Sequence, residues 1–203
     1  TITLGNNSIL TLGVGILTNS AQAMAITASN AGSALTAAAG ELVVFTNQGT
    51  TTFNTKITGA ISVIKSGAGA LTLNPGQVAG VSNDYTGGTY VNGGTLNLSS
   101  AANTIAIPGD LTISNATVTF ANANKFNATT SQIAATSNVT LNGGATLNFF
   151  NYTGATTTTL NSLTFNNDGG TTQAGVRFNT PTALHTLVLS GASAITVVNN
   201  NLG

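Results

Sequence analysis

The feature that most constrains this 203-residue chain is a recurring unit: a short strand, a turn rich in glycine or asparagine, and a second short strand. The units fall at residues 61–74 (ISVIKSGAGALTLN), 89–98 (TYVNGGTLNL), 111–120 (LTISNATVTF), 139–150 (VTLNGGATLNFF), 163–178 and 187–198. Their turns centre near residues 68, 93, 115, 143, 168 and 191, a spacing of roughly 22 to 28 residues that matches one coil of a solenoid. Within a unit the apolar residues fall at alternate positions, as in Leu71 and Leu73 or Leu96 and Leu98, which puts them on one face of an extended chain. Gly67, Gly69, Gly87, Gly88, Gly93 and Gly94 stand at the breaks, where the backbone needs positive φ.

A coil of this length cannot bury a face alone, so its stability must come from stacking on its neighbours. Strands of successive coils then lie about 4.8 Å apart and like residues stack on like. Leu73, Leu96, Val118, Leu147 and Val197 are expected to form one inward ladder, with Asn and Thr forming polar ladders near the turns. The composition suits this arrangement. Charged residues make up only 4% of the chain and the formal net charge is zero, and identical charges stacked at about 4.8 Å would repel. The same scarcity of Lys and Arg argues against nucleic acid and against an anionic membrane surface as partners. A hydrophobic content of 41% argues against disorder. Without cysteine there is neither a disulfide framework nor a thiolate metal site. No apolar run reaches the roughly 18 to 20 residues of a membrane-spanning helix, so no membrane insertion of this segment is expected.

The first sixty residues follow the pattern less closely. Residues 1–12 and 41–53 read as strand, turn, strand, but residues 20–39 are alanine-rich and lack a clean period of two. That segment is either a helix of a few turns or a set of narrow coils. Asn30, Gly32 and the β-branched Ile26, Thr27 and Thr36 weaken a helix and favour coils. Residues 9–25 (ILTLGVGILTNSAQAMA) have the apolar core and small-residue tail of a signal peptide without its positive start, and read instead as strands leading into the alanine-rich part. The domain expectation is a single all-β solenoid over 1–203, less regular over 1–60 and regular over 61–203.

Residues 65–98 carry a more specific signature. Lys65-Ser66-Gly67-x-Gly69-x-Leu71-x-Leu73 is followed by Tyr85-Thr86-Gly87-Gly88-Thr89-x-Val91-x-x-Gly94-x-Leu96-x-Leu98. This closely resembles the autotransporter-associated β-strand repeat, also called the passenger-associated transport repeat, of bacterial autotransporter passengers. The resemblance implies a right-handed parallel β-helix, here of roughly eight coils, that is exported and displayed at or released from the cell surface. It implies a non-catalytic stalk, an adhesive passenger or a filament-building subunit. The signal peptide and outer-membrane barrel usual in the family are not recognisable here, which suggests a mature passenger, a cleaved piece or a subunit that has borrowed the repeat. Residues 75–81 lie between the two halves of the motif and are expected to protrude as a loop.

The alternative from another class is a carbohydrate-active β-helix enzyme, which would need carboxylates gathered in a groove. The acids are Glu41, Asp84, Asp110 and Asp168, far apart in sequence, although stacking could bring the three aspartates to one side. A triad of His185, Ser190 and Asp168 can be written but has no nucleophile-elbow context. One histidine, no cysteine and scattered acids do not make a metal site, and no calcium-binding nonapeptide recurs. Gly87-Gly88 and Gly93-Gly94 precede no helix and are read as turns rather than phosphate cradles. The expectation is therefore no catalytic, cofactor-binding or metal-binding residue, and no cofactor. Asn-x-Thr/Ser triplets at Asn115, Asn127, Asn138 and Asn151 are what chance gives in so Asn- and Thr-rich a chain. A third reading is an ice- or glycan-binding module with a threonine face, for which Thr1/Thr3, Thr50/Thr52 and Thr117/Thr119 are candidates, though they do not recur at every coil. Neither end of the sequence carries a charged cap, which leads to the expectation of head-to-tail self-association or of continuation into a longer solenoid, with a surface glycan or host ligand as a further partner.

Overall fold

The computed structural model describes residues 1–77, 80–101, 103–121, 132–150, 156–167, 172–179 and 184–199. The chain winds as a parallel β-solenoid around a continuous apolar core. Two eight-stranded sheets run its length. Sheet I stacks Ile2–Leu4, Met24–Ala28, Thr50–Asn54, Ala70–Leu73, Thr95–Leu98, Thr117–Phe120, Thr146–Phe150 and Gly175–Asn179. Sheet II stacks Gly15–Asn19, Glu41–Gln48, Ser62–Ser66, Thr89–Val91, Leu111–Ser114, Asn138–Asn142, Ser162–Asn167 and Ile195–Asn199. Every pairing is parallel.

Between its sheet I and sheet II strands each coil crosses a third face, and this face is discontinuous. It begins as a three-stranded sheet of Ile9–Leu12, Ala34–Ala37 and Lys56–Ile57, and ends as a pair, Thr156–Leu160 with His185–Leu189. In between, among the described residues, it holds a 3-10 turn at Pro75–Gln77 and a lone parallel bridge between Ile107 and Ile133. Pro75 and Gly76 are buried, so this part of the segment between the motif halves packs inward instead of protruding.

The alanine-rich stretch is strand, not helix: Met24–Ala28 lies in sheet I and Ala34–Ala37 on the third face. Ala28, Ala34 and Ala37 face inward and are buried, whereas Ala21, Ala23, Ala31, Ala38 and Ala39 are exposed. Small side chains suit a narrow coil. The helix alternative would have left the neighbouring strands without rungs to pair with.

The sequence units are not hairpins. The two strands of 61–74, for example, belong to different sheets, and the glycine turn between them is a corner from sheet II into sheet I. The last unit, 187–198, turns a different corner, from the third face into sheet II, where Gly191 N donates to Asn161 O at 2.7 Å. The expected inward ladder is corrected accordingly. Leu96, Val118 and Leu147 do stack, but the column continues to Leu71 and Val176. Leu73 lies in the neighbouring column, which rises from Ile2, Ile26 and Phe53 and continues through Leu98, Phe120, Phe149 and Phe178, and Val197 belongs to sheet II beside Phe165. The aromatic column is tightly stacked, with ring centroids 4.6 Å apart for Phe120 and Phe149 and 5.2 Å for Phe149 and Phe178.

Candidate functional site

The corner after Ser62–Ser66 holds a charged group inside the solenoid. Strand alternation turns Lys65 inward, into a sheet II column where its register partners are Val44 and Val91. The side chain is fully buried. Its aliphatic stem continues the apolar column while the ammonium reaches the backbone carbonyls of the corner. There Nζ donates to the carbonyl oxygens of Ser66 at 2.9 Å, Gly67 at 2.8 Å and Gly93 at 3.1 Å, matching its three protons. Gly93 belongs to the next coil, so Lys65 ties two successive corners together. Burial pushes the ammonium pKa down to about 8.

The glycines make this close stacking feasible. Gly67 and Gly94 have φ of 81° and 64°. A Cβ on Gly94 would collide with the carbonyl oxygen of Gly69 and lie 2.5 Å from that of Gly67; one on Gly67 would collide with that of Thr46. At the following corners the left-handed position passes to Asn115 and then Gly143, with φ of 48° and 56°. Asn115 Oδ1 also accepts a bond from Gly144 N at 3.0 Å.

Where the third face lacks strands, amide side chains replace the missing ladder. Asn83 Oδ1 accepts from Ile57 N at 2.8 Å and its Nδ2 donates to Ala106 O at 2.7 Å, joining the coil before it to the coil after it. Gln132 Oε1 accepts from Ser100 N at 2.8 Å. Tyr85 is buried beside them, its hydroxyl 2.6 Å from that of Thr89, and burial raises its phenol despite that bond. The motif residues Tyr85 and Thr89 thus meet inside the core.

Among the described residues, Asp84, Asp110, His185 and Ser190 are engaged by local contacts. Asp84 pairs with Lys56 at 3.1 Å. Asp110 Oδ1 accepts from Asn138 N at 2.8 Å and from Asn138 Nδ2 at 3.2 Å. Glu41 opens a sheet II strand and is exposed. Asp168 lies outside the described residues, as do Asn127 and Asn151. His185 sits on the third face, stacked on Phe149 with centroids 4.5 Å apart and tilted against Phe178 at 5.6 Å. Its Nδ1 meets the Thr156 hydroxyl at 2.5 Å, and burial lowers its pKa to about 4. The Ser190 hydroxyl donates to Leu160 O at 3.2 Å. His185 and Ser190 therefore serve the packing of adjacent coils. Among the described residues no three His, Cys, Asp or Glu side chains gather where they could hold a metal ion.

The outward face of sheet I is more regular than the sequence suggested. Register places Thr50, Ala70, Thr95, Thr117 and Thr146 in one outward column and Thr52, Thr72, Asn97, Thr119 and Asn148 in the next. All ten are half-buried against one another. Thr50/Thr52 and Thr117/Thr119 were legible as pairs. The two rungs between them and the one beyond are not legible because Ala70/Thr72, Thr95/Asn97 and Thr146/Asn148 break the Thr-x-Thr spelling while keeping the geometry. The outer face of sheet II differs: its central column runs Val43, Ile64, Tyr90 and then Thr112, Thr140, Thr164 and Thr196. Its apolar first part borders a shallow depression of about 240 Å³ lined by Val14, Leu17 and Phe45 among others.

The family model of the passenger-associated-transport-repeat matches residues 63–98, the segment that contains the Lys65 corner, Tyr85 and Thr89. No curated protein matches the chain, and no solved structure does. That repeat, over residues 63–98, and the all-parallel β-solenoid into which it is built fit an autotransporter passenger-like β-helix repeat protein.

Proposed function

We propose that this chain is a rigid, non-catalytic rod segment of an exported bacterial protein, carried at or released from the cell surface, where it spaces or presents adhesive surfaces. One observation carries the reading: the transport-associated repeat sits within two sheets that each run through eight parallel rungs. A stack of this kind resists bending because each rung is bonded to both neighbours along two faces. Its near-neutral, hydroxyl- and amide-rich exterior is compatible with crossing a membrane unfolded and then assembling coil by coil. The edge-to-edge pairing that joins rungs within the chain would also join it to further coils or to other copies, and sedimentation of the purified chain reads that assembly.

The experiment is an epitope inserted after Gln22, an exposed residue in the turn between Gly15–Asn19 and Met24–Ala28, in the natural full-length gene product. Antibody staining of intact cells, or recovery of the epitope from the medium, is the expected result. Staining that appears only after lysis overturns the reading. The carbohydrate-active alternative gains no support from the described acids, since Asp84 and Asp110 are engaged by Lys56 and Asn138.

A further inference from the structure

The ten-residue grid on the outer face of sheet I points away from the core, and its regularity asks for a regular partner. Its columns repeat at about 4.8 Å along the solenoid, and positions two residues apart on a strand are separated by about 6.7 Å. Seven of the ten side chains are threonine, two are asparagine and one is alanine. Each threonine sets a methyl beside a hydroxyl. Because the side chains are β-branched and half-buried against the rungs above and below, their rotamers are fixed before any partner arrives.

The chemistry of the grid narrows the partner. No Asp, Glu, Lys or Arg occupies any of the ten positions; the first charge in these columns is Arg177, one rung beyond Asn148. A neutral, evenly spaced face complements a neutral lattice and repels nothing. Sugar rings are held by stacking on aromatic faces, and none of the ten grid positions is aromatic: Phe45 and Tyr90 lie on sheet II, and the exposed aromatics of sheet I, Phe150 and Phe178, stand outside the grid at its far end. What remains is a surface that arrays hydroxyls and methyls at fixed intervals and can order a layer of water. We propose that the outer face of sheet I binds ice, with Thr50, Thr52, Thr72, Thr95, Thr117, Thr119 and Thr146 as the contact residues. The proposal is independent of the rod reading and stands or falls separately from surface display.

The test uses the purified chain in nanolitre osmometry and an ice-recrystallisation assay. Three forms are compared: the wild type, the double variant Thr95→Lys with Thr117→Lys, and Thr140→Lys as a control on the outer face of sheet II. Far-UV circular dichroism and thermal melting establish that all three are folded. The wild type is expected to shape ice crystals and to give measurable thermal hysteresis. The double variant should fall to the level of an inert protein, because two ammonium groups keep their own hydration and lift the face off the crystal, while Thr140→Lys should behave as wild type. A wild type indistinguishable from an inert protein overturns the proposal, as does an equal loss in Thr140→Lys or no loss in the double variant. Retention on crystalline cellulose or chitin without any effect on ice would also overturn it, assigning the face to a glycan.

Discussion

The stacked glycine corners make a graded prediction that separates backbone conformation from close approach. Gly13, Gly40 and Gly94 are each replaced by alanine. At Gly13 φ lies outside the left-handed region and an added Cβ meets nothing within 4 Å. That substitution removes only unfolded-state freedom and should stabilise by about 0.4 to 1 kcal/mol. At Gly40 space is equally open but φ is 76°, so alanine bears the left-handed strain alone, a loss of about 1 to 2 kcal/mol. Gly94 adds a collision to that strain. The carbonyl oxygens it meets are fixed, since Gly69 O accepts from Thr95 N at 3.3 Å and Gly67 O from Lys65 Nζ at 2.8 Å.

Relieving the collision means moving one coil against the next, and overpacking of this kind costs about 1 to 3 kcal/mol beyond the strain. The total for Gly94→Ala is therefore about 2 to 5 kcal/mol, against about 1 to 2 for Gly40→Ala. Urea unfolding, followed by far-UV circular dichroism and by the fluorescence of Tyr85 and Tyr90, measures all three. With a slope of about 2 to 3 kcal/mol per molar, Gly94→Ala should lower the midpoint by about 0.7 to 2.5 M. If Gly94→Ala costs no more than Gly40→Ala, the corners are not stacked as closely as the structure places them.

Other consequences concern the buried polar groups. The folded pKa of His185, about 4, lies below its ordinary 6.5, so the unfolded chain binds more protons between those values and stability falls as pH drops from 6.5 to 4. The loss is at most about 3 kcal/mol and smaller to the extent that solvent screens the half-buried ring; His185→Phe should flatten this slope in melting curves taken across that range. Lys65 works at the other end of the scale: its folded pKa, about 8, lies below 10.5, so stability should rise with pH from 8 to 10.5, and Lys65→Met should abolish that rise. Asn83→Ala strands the buried Ile57 N–H and Ala106 carbonyl, and chemical denaturation should register a loss of about 2 to 6 kcal/mol, at about 1 to 3 for each orphaned group. Leu96→Ala empties the centre of the sheet I column and should cost about 2 to 5 kcal/mol in the same assay.

The solenoid was legible because its two signals, alternate apolar residues and glycine corners, are local and repeat at one interval. What could not be read locally was the phase of that repeat. A turn such as that at Gly191 spells like the turn at Gly94 yet joins different faces, which is why Val197 reads as a member of the Leu96 ladder while its strand lies in sheet II. Leu73 was misplaced by one inward position because Leu71 and Leu73 are both buried and equally apolar, so only the hydrogen-bonded register distinguishes them. The strand character of the alanine-rich segment is set by pairing with its neighbours more than by its own propensity. Lys65 went unnoticed as a core residue because a lysine reads as surface until its strand position is fixed. Its signal was nonetheless present: it occupies the alternation point held by Val44 and Val91. The threonine grid lies between these cases, with two rungs spelled in the sequence and three visible only once the coils are stacked.

The central claim is that residues far apart in sequence sit one above another at strand spacing. Spin labels at Thr52 and Asn148, 96 positions apart in sequence, test it most directly. These two outward positions share a column through Thr72, Asn97 and Thr119. Four rung steps place their Cα atoms about 19 Å apart. Pulsed electron–electron resonance should therefore give a single narrow distribution centred near that separation, broadened only by the label linkers. A broad distribution, or one centred beyond about twice that distance, would contradict the parallel stacking from which the corner, the core and the outer faces all follow.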